Sequence, residues 1–272
     1  MEKEKPYLPF EQDGKTYNLY ELPDGFVIKG DLDLAGKDFE KLPDLSKVIV
    51  EGNFYCHRCY NLTSLKGAPK KVGKGFSCWG CYHLTSLDGA SEKVGGYFDC
   101  WGCDNLTSLA GAPKEVGRDF DCHNCKSLIS LYGSSEKVEG DFRCSDNKNL
   151  TSLVGISSAR YINCDDGLEK KYGFNRSFSF DEFKSSQVYQ EELKEYEEQQ
   201  KQKKNNILKQ KKKNILNSKR LKYKLMRTIA AENVSDEVDE KTGKRKINPK
   251  RSTEQKKVIK EVLDSVSKGI TD

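Results

Sequence analysis

The stretch FDCWGCDNLTSLAGAPKEVG, residues 98–117, decides the fold, because versions of it stand every 22 residues along the first part of the chain. The copies share the pattern F-x-C-x-x-C-x-x-L-T-S-L-x-G-A-P-x-x-V-G, which drifts in the last two. Degenerate units flank them near residues 32–42 and 162–168. A fixed period of this length with worn ends is typical of a solenoid with capping rungs. The five copies begin at Phe54, Phe76, Phe98, Phe120 and Phe142.

Alternation within each copy predicts a short strand followed by a turn. Phe98 and Cys100 alternate with Asp99 and Trp101, so Phe and Cys should point inward and the residues between them outward. The two leucines of the L-T-S-L segment should bury a second edge of the rung. Glycine recurs where the chain must turn back, a place where positive φ costs a glycine little. These turn glycines are Gly67, Gly89, Gly111, Gly133 and Gly155.

The columns resemble the leucine-rich repeat, L-x-x-L-x-L-x-x-N/C-x-x-L, over about residues 25–170. Phe98 matches the second Leu of that strand, Cys100 the third, Cys103 the Asn/Cys position and Leu106 the Leu that follows. The resemblance is to short repeats of bacterial and bacteriophage proteins, and it implies a cytoplasmic protein of a bacterial or virus-infected cell. It implies a leucine-rich-repeat solenoid with a parallel β-sheet on the concave face. Because 22 residues leave too little chain for a full helix, turns or 3-10 segments are expected on the convex face.

Charge divides the chain near residues 174–179. Residues 1–180 contain 23 Lys and Arg against 26 Asp and Glu, whereas the remaining 92 residues contain 24 against 16. All ten Cys and both Trp lie in the first part. No apolar run approaches the roughly 20 residues of a membrane span, so we expect no integral membrane association. The predicted organisation is an N-terminal segment, 1–24, a solenoid with capping rungs, 25–175, and a helical, Lys-rich extension, 176–272.

The paired cysteines allow three interpretations: a structural zinc site, functional disulfides or redox chemistry, and a structural ladder. Cys56-x-x-Cys59 followed by a second such pair has the spacing of a structural zinc site. The fifth copy, however, has Asn147 where the others have the second Cys. Asn would remove a thiolate ligand, but it is the expected alternation in a leucine-rich-repeat ladder. We therefore expect a ladder with no metal and no cofactor, and a zinc-stabilised CxxC module is the alternative. The expected ladder residues are Cys59, Cys81, Cys103, Cys125 and Asn147.

The outward column after the first Cys of each copy carries both Trp and two of the three His. This predicts an aromatic face with an acidic flank, and contiguous exposed aromatics usually mark an interface. Two other interpretations are open: the aromatic pairs could simply stabilise the sheet, or the helical tail could cover them. The predicted partner-binding residues are Tyr55, His57, Trp79, Tyr97, Asp99, Trp101, Asp121 and His123.

The tail predicts a long helix. Ser179 and Glu182 form a capping box, the following residues are acidic, and no acidic residue stands between Glu198 and Glu232. The Lys-rich stretch 201–227 suits a solvated or protein-binding helix, and alternatively nucleic acid or an anionic membrane surface. A charged loop over 236–246 and a second helix over 252–269 are expected. The candidate nucleic-acid or anion-binding residues are Lys203, Lys204, Lys211, Lys212, Lys213, Lys219, Arg220 and Arg227.

No catalytic constellation can be assembled from the sequence. It lacks a Gly-rich phosphate loop, an H-E-x-x-H and a G-x-S-x-G motif, and the three His do not pair with a nucleophile. The sequence therefore predicts a non-catalytic interaction protein that binds a protein or peptide partner through the aromatic face. The tail would anchor it or oligomerise it as a coiled coil. The alternative function is nucleic-acid binding through the Lys-rich helix.

Overall fold

The structure is a computed structural model that describes residues 7–174, 177–232, 234–238 and 245–247, with side chains as far as Ser218 and at Arg220. The repeats form a β-solenoid in which each rung contributes two strands of two residues. One strand ends in the Val of the repeat and the other begins at its Phe. Adjacent rungs pair in parallel with an offset of 22 residues, as in Phe76↔Phe98 and Val72↔Val94.

The strands build two sheets. We call them the Val sheet and the Phe sheet. The Val sheet has six strands: Val27–Ile28, Ile49–Val50, Lys71–Val72, Lys93–Val94, Glu115–Val116 and Lys137–Val138. The Phe sheet has eight, the last of them antiparallel: Leu32–Asp33, Phe54–Tyr55, Phe76–Ser77, Phe98–Asp99, Phe120–Asp121, Phe142–Arg143, Tyr161–Asn163 and Phe178–Ser179.

The second sheet corrects the prediction of a single parallel sheet. Val116, like the equivalent Val72, Val94 and Val138 of three other copies, lies in a strand of its own and is buried. A strand of two residues is too short for alternation to show in the sequence, so the repeated V-G was not recognised as a strand. On the remaining side of each rung the L-T-S-L segment is irregular and is flanked by turns, in agreement with the expectation that 22 residues leave too little chain for a full convex helix.

The interior is built from stacked columns. The Phe, Cys and Leu of each of the five copies are buried, as the alternation predicted, and most are completely inaccessible. Neighbouring Phe rings touch along the solenoid, with centroids 4.9–5.2 Å apart from Phe54 to Phe142. Each fully buried Phe contributes roughly 1.5–3 kcal/mol relative to an exposed one. The continuous Phe column therefore makes a large contribution to holding the rungs in register.

The turn glycines are required because their backbone conformation disfavours other residues and because the preceding rung leaves no space for a side chain. Gly89 has φ +92°, and a Cβ added there would overlap the backbone of Leu65 and Lys66 in the preceding rung. The equivalent glycines of the other copies also have positive φ. An L side chain at these positions would be strained and would force neighbouring rungs apart.

Both ends of the solenoid are capped. At the start, strands Pro9–Gln12 and Lys15–Asn18 form a hairpin that is followed by a 3-10 turn, Leu19–Glu21. The Gln12 side chain donates to Val27 O and accepts from Lys29 N, which satisfies the first edge of the Val sheet. At the other end stand the helices α1, Asp166–Lys171, and α2, Phe180–Ser185. The predicted Ser179–Glu182 capping box begins α2.

A long helix, α3, runs from Gln187 to Glu232. The chain divides into two compact units, residues 1–196 and 197–272. The division lies beyond residue 175 because the first turns of α3 belong to the solenoid unit. There the Glu192 carboxylate accepts hydrogen bonds from the hydroxyls of Tyr172 (2.5 Å) and Ser152 (2.8 Å). No helix within the described residues is both long and apolar enough to cross a membrane.

In the second unit, strands Val234–Val238 and Arg245–Ile247 pair antiparallel. The expectation of a charged loop over 236–246 is therefore wrong at both of its ends. The predicted helix over 252–269 lies outside the described residues.

Candidate functional site

The candidate site begins at the turn that ends each strand of the Phe sheet. In this turn one residue per rung takes a left-handed conformation: Arg58, Gly80, Gly102, Asn124 and Asp146 have φ between +52° and +66°. The residue just before it points outward, because backbone hydrogen bonds between neighbouring rungs fix the turn. Gly80 N–H, for example, donates to Trp101 O at 2.8 Å.

Aspartates of the Phe sheet fix the same turns. Asp99 Oδ1 accepts from the Trp101 backbone N–H at 3.0 Å, and Asp121 Oδ1 accepts from the His123 N–H at 3.1 Å. An Asp two residues ahead of a turn commonly caps it in this way. These predicted acidic residues therefore position the aromatic side chains as well as flanking them.

The outward side chains stack into a continuous ridge. We define the aromatic ridge as His57, Trp79, Trp101 and His123, one residue from each of four rungs. Its ring centroids are separated by 4.9, 5.2 and 5.2 Å, and the interplanar angles are 9°, 27° and 16°. Tyr55 meets His57 edge-on at 5.8 Å. Trp101 keeps 36% of its surface exposed.

Stacking decides which atoms of the ridge a ligand can reach. Each Trp has a ring against both of its faces, and the Arg58 guanidinium also lies 4.5 Å from the Trp79 centroid. The surface that the two Trp keep exposed is therefore at their ring edges. Among the described residues no acceptor lies within hydrogen-bond distance of either indole N–H. At the two Trp the ridge therefore offers ring edges rather than open aromatic faces.

The carboxylates of the acidic flank lie close to the ridge and close to one another. Asp121 Oδ1 lies 2.5 Å from His123 Nδ1. Burial raises the pKa of Asp99; the hydrogen bond from Trp101 N–H opposes that shift, while the nearby Asp121 charge adds to it. Burial also lowers the pKa of His57, so its neutral form is favoured. A cationic ligand group would relieve the crowding of these carboxylates.

The structure places Tyr97 behind the ridge rather than in it. Its ring covers Gly75, where any Cβ would overlap it, and reaches the Tyr55 hydroxyl. Burial raises the pKa of Tyr97 to about 12. Gly75 is thus needed for close packing by a neighbouring side chain.

A second stack, which the sequence interpretation missed, lies on the other side of the turns. The rings of Tyr60 and Tyr82 are 5.3 Å apart and nearly parallel, and both are about half exposed. Their column follows the second Cys of each copy, and reading that column would have found them. In the next rungs the column continues as Asp104 and Lys126, which pair at 2.7 Å.

A groove lies between the two stacks. We call it the ridge groove, and its volume is about 320 Å³. Its floor is made by the left-handed turn residues, two of which are glycines. The lining residues are Trp79, Gly80, Tyr82, Trp101, Gly102, Asp104, Asn124 and Lys126.

The second cysteine of each pair makes the same hydrogen bond in every rung. The thiols of Cys59, Cys81, Cys103 and Cys125 donate to the carbonyl 25 residues earlier at 3.2–3.3 Å. Asn147 takes this place in the fifth copy. Its Nδ2 donates to Cys122 O and Cys144 O, and its Oδ1 accepts from Cys125 N–H. This is the geometry expected of a ladder.

All ten cysteines are free thiols in buried positions. Burial raises the pKa of Cys56 and Cys122 well above that of an exposed thiol, which disfavours the thiolate that zinc binding or nucleophilic attack requires. Among the described residues, which include every cysteine, no group of three or more His, Cys, Asp or Glu is arranged to hold a metal ion.

The predicted basic residues lie on α3, Gln187–Glu232. The described ones are exposed: Lys203, Lys204, Lys211, Lys212, Lys213 and Arg220. The side chains of Lys219 and Arg227 lie outside the described residues. No ion pair joins any of the described members to a carboxylate within the part of the chain that the structure describes.

Comparison of the chain with protein families, with curated proteins and with solved structures yields no match. The fold and the site define its class on their own. It is a β-solenoid of six rungs with an aromatic ridge along one face, followed by a long helix.

Proposed function

We propose that this chain is a non-catalytic interaction protein of the leucine-rich-repeat type, which binds a protein or peptide partner through the aromatic ridge. In this proposal the helical tail anchors or oligomerises the molecule. The observation that carries the proposal is the ridge itself: four stacked rings on adjacent rungs, with their edges open to solvent. Exposed clusters rich in Trp are characteristic of binding hot spots.

The surface of the Val sheet supports the choice of the ridge by contrast. Exposed side chains on and beside its central strands pair between rungs, as Lys93 does with Glu115 at 2.5 Å and Lys114, just ahead of a strand, does with Glu92 at 3.1 Å. These pairs, together with the exposed Lys71 and Lys137, make the centre of that face polar. The aromatic ridge instead presents ring edges beside the closely spaced carboxylates of Asp99 and Asp121.

A catalytic role finds no support in the chemistry near the ridge. The thiols are the strongest nucleophiles available, and burial raises the pKa of Cys56 and Cys122, which keeps these two thiols protonated. His123 is held by Asp121, but no hydroxyl or thiol lies within hydrogen-bond distance of its ring among the described residues. A general base without a nucleophile or oxyanion donors does not make an active site.

The experiment is a selection of displayed random peptides on the immobilised full-length protein. Enriched peptides are then titrated by fluorescence polarisation against wild type, the double variant Trp79→Ala/Trp101→Ala, and Tyr20→Ala. Tyr20 is an exposed aromatic residue of the N-terminal cap, far from the ridge in sequence and outside its stack. Loss of two hot-spot residues should weaken binding by at least about tenfold, which corresponds to 1.4 kcal/mol. The Tyr20→Ala control should bind like wild type.

Far-UV circular dichroism would establish that the double variant still folds. Equal affinity of wild type and a folded double variant for every selected peptide would rule the ridge out as the binding site.

Nucleic-acid binding is the second candidate, and the exposed Lys residues of α3 favour it. A helix with this many cations and no nearby carboxylate gains from a polyanion. Under this proposal, affinity for duplex or single strands falls steeply between about 50 and 200 mM salt. A Lys211→Gln/Lys212→Gln/Lys213→Gln variant should reduce the slope of log K against log salt by up to about three. Binding that ignores salt, or no binding, would remove this candidate.

A further inference from the structure

Both outer edges of the Val sheet are closed by side chains. At the first edge, the Gln12 side-chain amide donates to Val27 O and accepts from the Lys29 N–H. At the last edge, the Ser158 hydroxyl donates to Val138 O at 3.2 Å and accepts from the Val138 N–H at 3.3 Å. Closure of this kind removes the unpaired backbone groups through which a sheet edge recruits another strand.

The Phe sheet is closed at its last edge but not at its first. The antiparallel strand Phe178–Ser179 covers the last edge, and the Ser179 N–H donates to the Glu182 carboxylate at 2.8 Å where α2 begins. The strand Leu32–Asp33 forms the first edge. Among the described residues, no side chain or strand bonds to the outer side of this strand.

The hydrogen bonds between rungs show what the first edge lacks. Three alternate N–H groups of each rung donate to three carbonyls of the next. Leu32, Leu34 and Gly36 donate in this way to Asn53 O, Tyr55 O and His57 O at 2.7–2.8 Å. The equivalent carbonyls of the first rung belong to Asp31, Asp33 and Ala35, and we call these three residues the open edge. Within the part of the chain that the structure describes, no donor lies within hydrogen-bond distance of their carbonyls.

The Asp33 N–H also points away from the solenoid. Consecutive residues of a strand direct their backbone groups to opposite sides, and the N–H groups of Leu32 and Leu34 point toward the next rung. No acceptor for the Asp33 N–H lies within reach in the described residues. Asp31 and Asp33 are exposed, so water pairs with these backbone groups in the free protein. A row of such groups is a template for a further strand.

Charge selects the kind of strand that would be added. Because equivalent residues of successive rungs stack, the outward side chains of an added strand would lie beside Asp31 and Asp33. The nearby Lys29 pairs with Asp13 at 2.6 Å instead of with either carboxylate. Hydrogen bonds from Asn53 lower the pKa of Asp31, which keeps it charged. A second copy of the chain would bring the same two carboxylates to the contact, whereas a strand with outward Lys or Arg would complement them.

We infer that the open edge binds an extended peptide segment whose outward residues are basic, and that this segment adds to the Phe sheet as a further parallel strand. Five residues suffice to donate three alternate N–H groups to the carbonyls of Asp31, Asp33 and Ala35, as one rung donates to the next. Strand addition at a sheet edge is a recurring mode of peptide recognition. The inference goes beyond the proposed function, because it uses backbone groups at one end of the solenoid rather than the aromatic ridge.

Backbone amide exchange, followed by NMR on the full-length protein, tests whether the edge is open. The Asp33 amide should exchange quickly in the free protein. The Leu34 amide of the same strand donates to Tyr55 O at 2.7 Å and should be protected. An Asp33 amide that is as protected as that of Leu34 would show that the edge is already covered and would overturn the inference.

The probe for binding is an acetylated and amidated peptide of three Lys-Thr repeats, which spans about 20 Å when extended. In the parallel arrangement its Thr residues donate to the open edge, and its Lys side chains lie beside Asp31 and Asp33. Two peptides with the same charge serve as a matched pair: one is N-methylated at every Thr amide and the other at every Lys amide. A Glu-Thr peptide of equal length tests the charge.

Titration is followed by the amide signals of Asp33 and its neighbours. We expect the Lys-Thr peptide and its Lys-methylated form to bind and to slow exchange of the Asp33 amide. The Thr-methylated and Glu-Thr peptides should each bind at least about tenfold more weakly.

Two variants at one position isolate the backbone donor. Asp33→Pro removes the outward N–H, and proline is tolerated in an edge strand where that group faces solvent. Asp33→Asn is its control, because Asn keeps the N–H and an oxygen that can accept from the Ala35 N–H, as Asp33 Oδ1 does at 2.8 Å. Asp33→Pro should bind the Lys-Thr peptide at least about threefold more weakly than Asp33→Asn. Trp79→Ala/Trp101→Ala should bind it like wild type.

Several results would overturn the inference. They are failure of the Lys-Thr peptide to bind, equal affinity of the Thr-methylated and parent peptides, and equal affinity of the Lys-Thr and Glu-Thr peptides. The peptide comparison needs only the wild-type protein, so it decides the matter even if Asp33→Pro does not fold. Dimers in which the Asp33 amide is protected would also overturn the inference, since a second copy would then occupy the edge. None of these results affects peptides whose binding depends on the two Trp, so the proposed function would stand.

Discussion

Replacing Asn147 with Ala tests the ladder most severely, because this buried side chain makes three hydrogen bonds to the backbone. Its Oδ1 accepts from Cys125 N–H at 2.8 Å, and its Nδ2 donates to Cys144 O at 2.8 Å and to Cys122 O at 3.0 Å. Alanine would leave these three backbone groups unsatisfied at a site that is 1% exposed. Each such group costs about 1–3 kcal/mol. The expected loss is therefore at least about 3 kcal/mol in the free energy of unfolding.

Two further variants distinguish the loss of the three Asn147 hydrogen bonds from the loss of a single weak donor. Cys125→Ala removes one weak thiol donor at the same ladder position one rung earlier and should cost about 1 kcal/mol. Asn147→Cys should fall between the two, because a thiol there can still donate to Cys122 O as its counterparts do. Urea unfolding monitored by tryptophan emission measures all three free energies. If Asn147→Ala is no more destabilising than Cys125→Ala, the hydrogen bonds of Asn147 do not stabilise the stacked rungs as we expect.

Further predictions concern the backbone, the thiols and metal. Gly95→Ala should destabilise by more than about 1 kcal/mol, since its Cβ would overlap the Gly73 carbonyl; Gly167→Ala, in α1 with open space around it, should stabilise by up to about 1 kcal/mol. Equal urea midpoints for these two variants would contradict the close approach of the rungs. Because burial raises the pKa of the Cys56 and Cys122 thiols in the native state, the native protein keeps protons on these thiols that the unfolded chain loses above about pH 8.5. Stability should therefore be full below that pH and fall as pH rises toward 10, and a midpoint that rises instead would refute the burial of these thiols. If the ladder rather than zinc holds the rungs, EDTA should leave the thermal midpoint unchanged, and a lower midpoint with EDTA would favour the zinc alternative.

Much of the solenoid could be predicted because its repeat imposes the same environment on equivalent residues five times over. Phe98 and its counterparts had to be inward, since one apolar residue recurring every 22 positions forms a column when rungs stack. The turn glycines could be predicted for the same reason: only glycine takes the required φ at little cost. Because equivalent residues of successive copies stack, the two Trp and two His of the ridge could also be placed on adjacent rungs.

The features that the sequence did not predict depend on contacts between rungs, which a single copy of the repeat does not reveal. The Val sheet has strands of two residues, which carry no periodic signal of their own. The Tyr60–Tyr82 stack and the ridge groove arise from the left-handed turn, whose geometry places two columns on either side of a glycine floor. Tyr97 lies over Gly75 because a neighbouring rung lacks a side chain there, a relation between rungs rather than within one.

The role of the aromatic ridge is tested most directly by acrylamide quenching of tryptophan emission in the wild-type protein, with and without a saturating selected peptide. Both tryptophans belong to the ridge, and Trp101 is 36% exposed in the free protein. If the ridge is the binding surface, the bound peptide covers the indole edges and the Stern–Volmer slope falls. An unchanged slope in the presence of a peptide shown to be bound would place the binding surface elsewhere and contradict the proposed function.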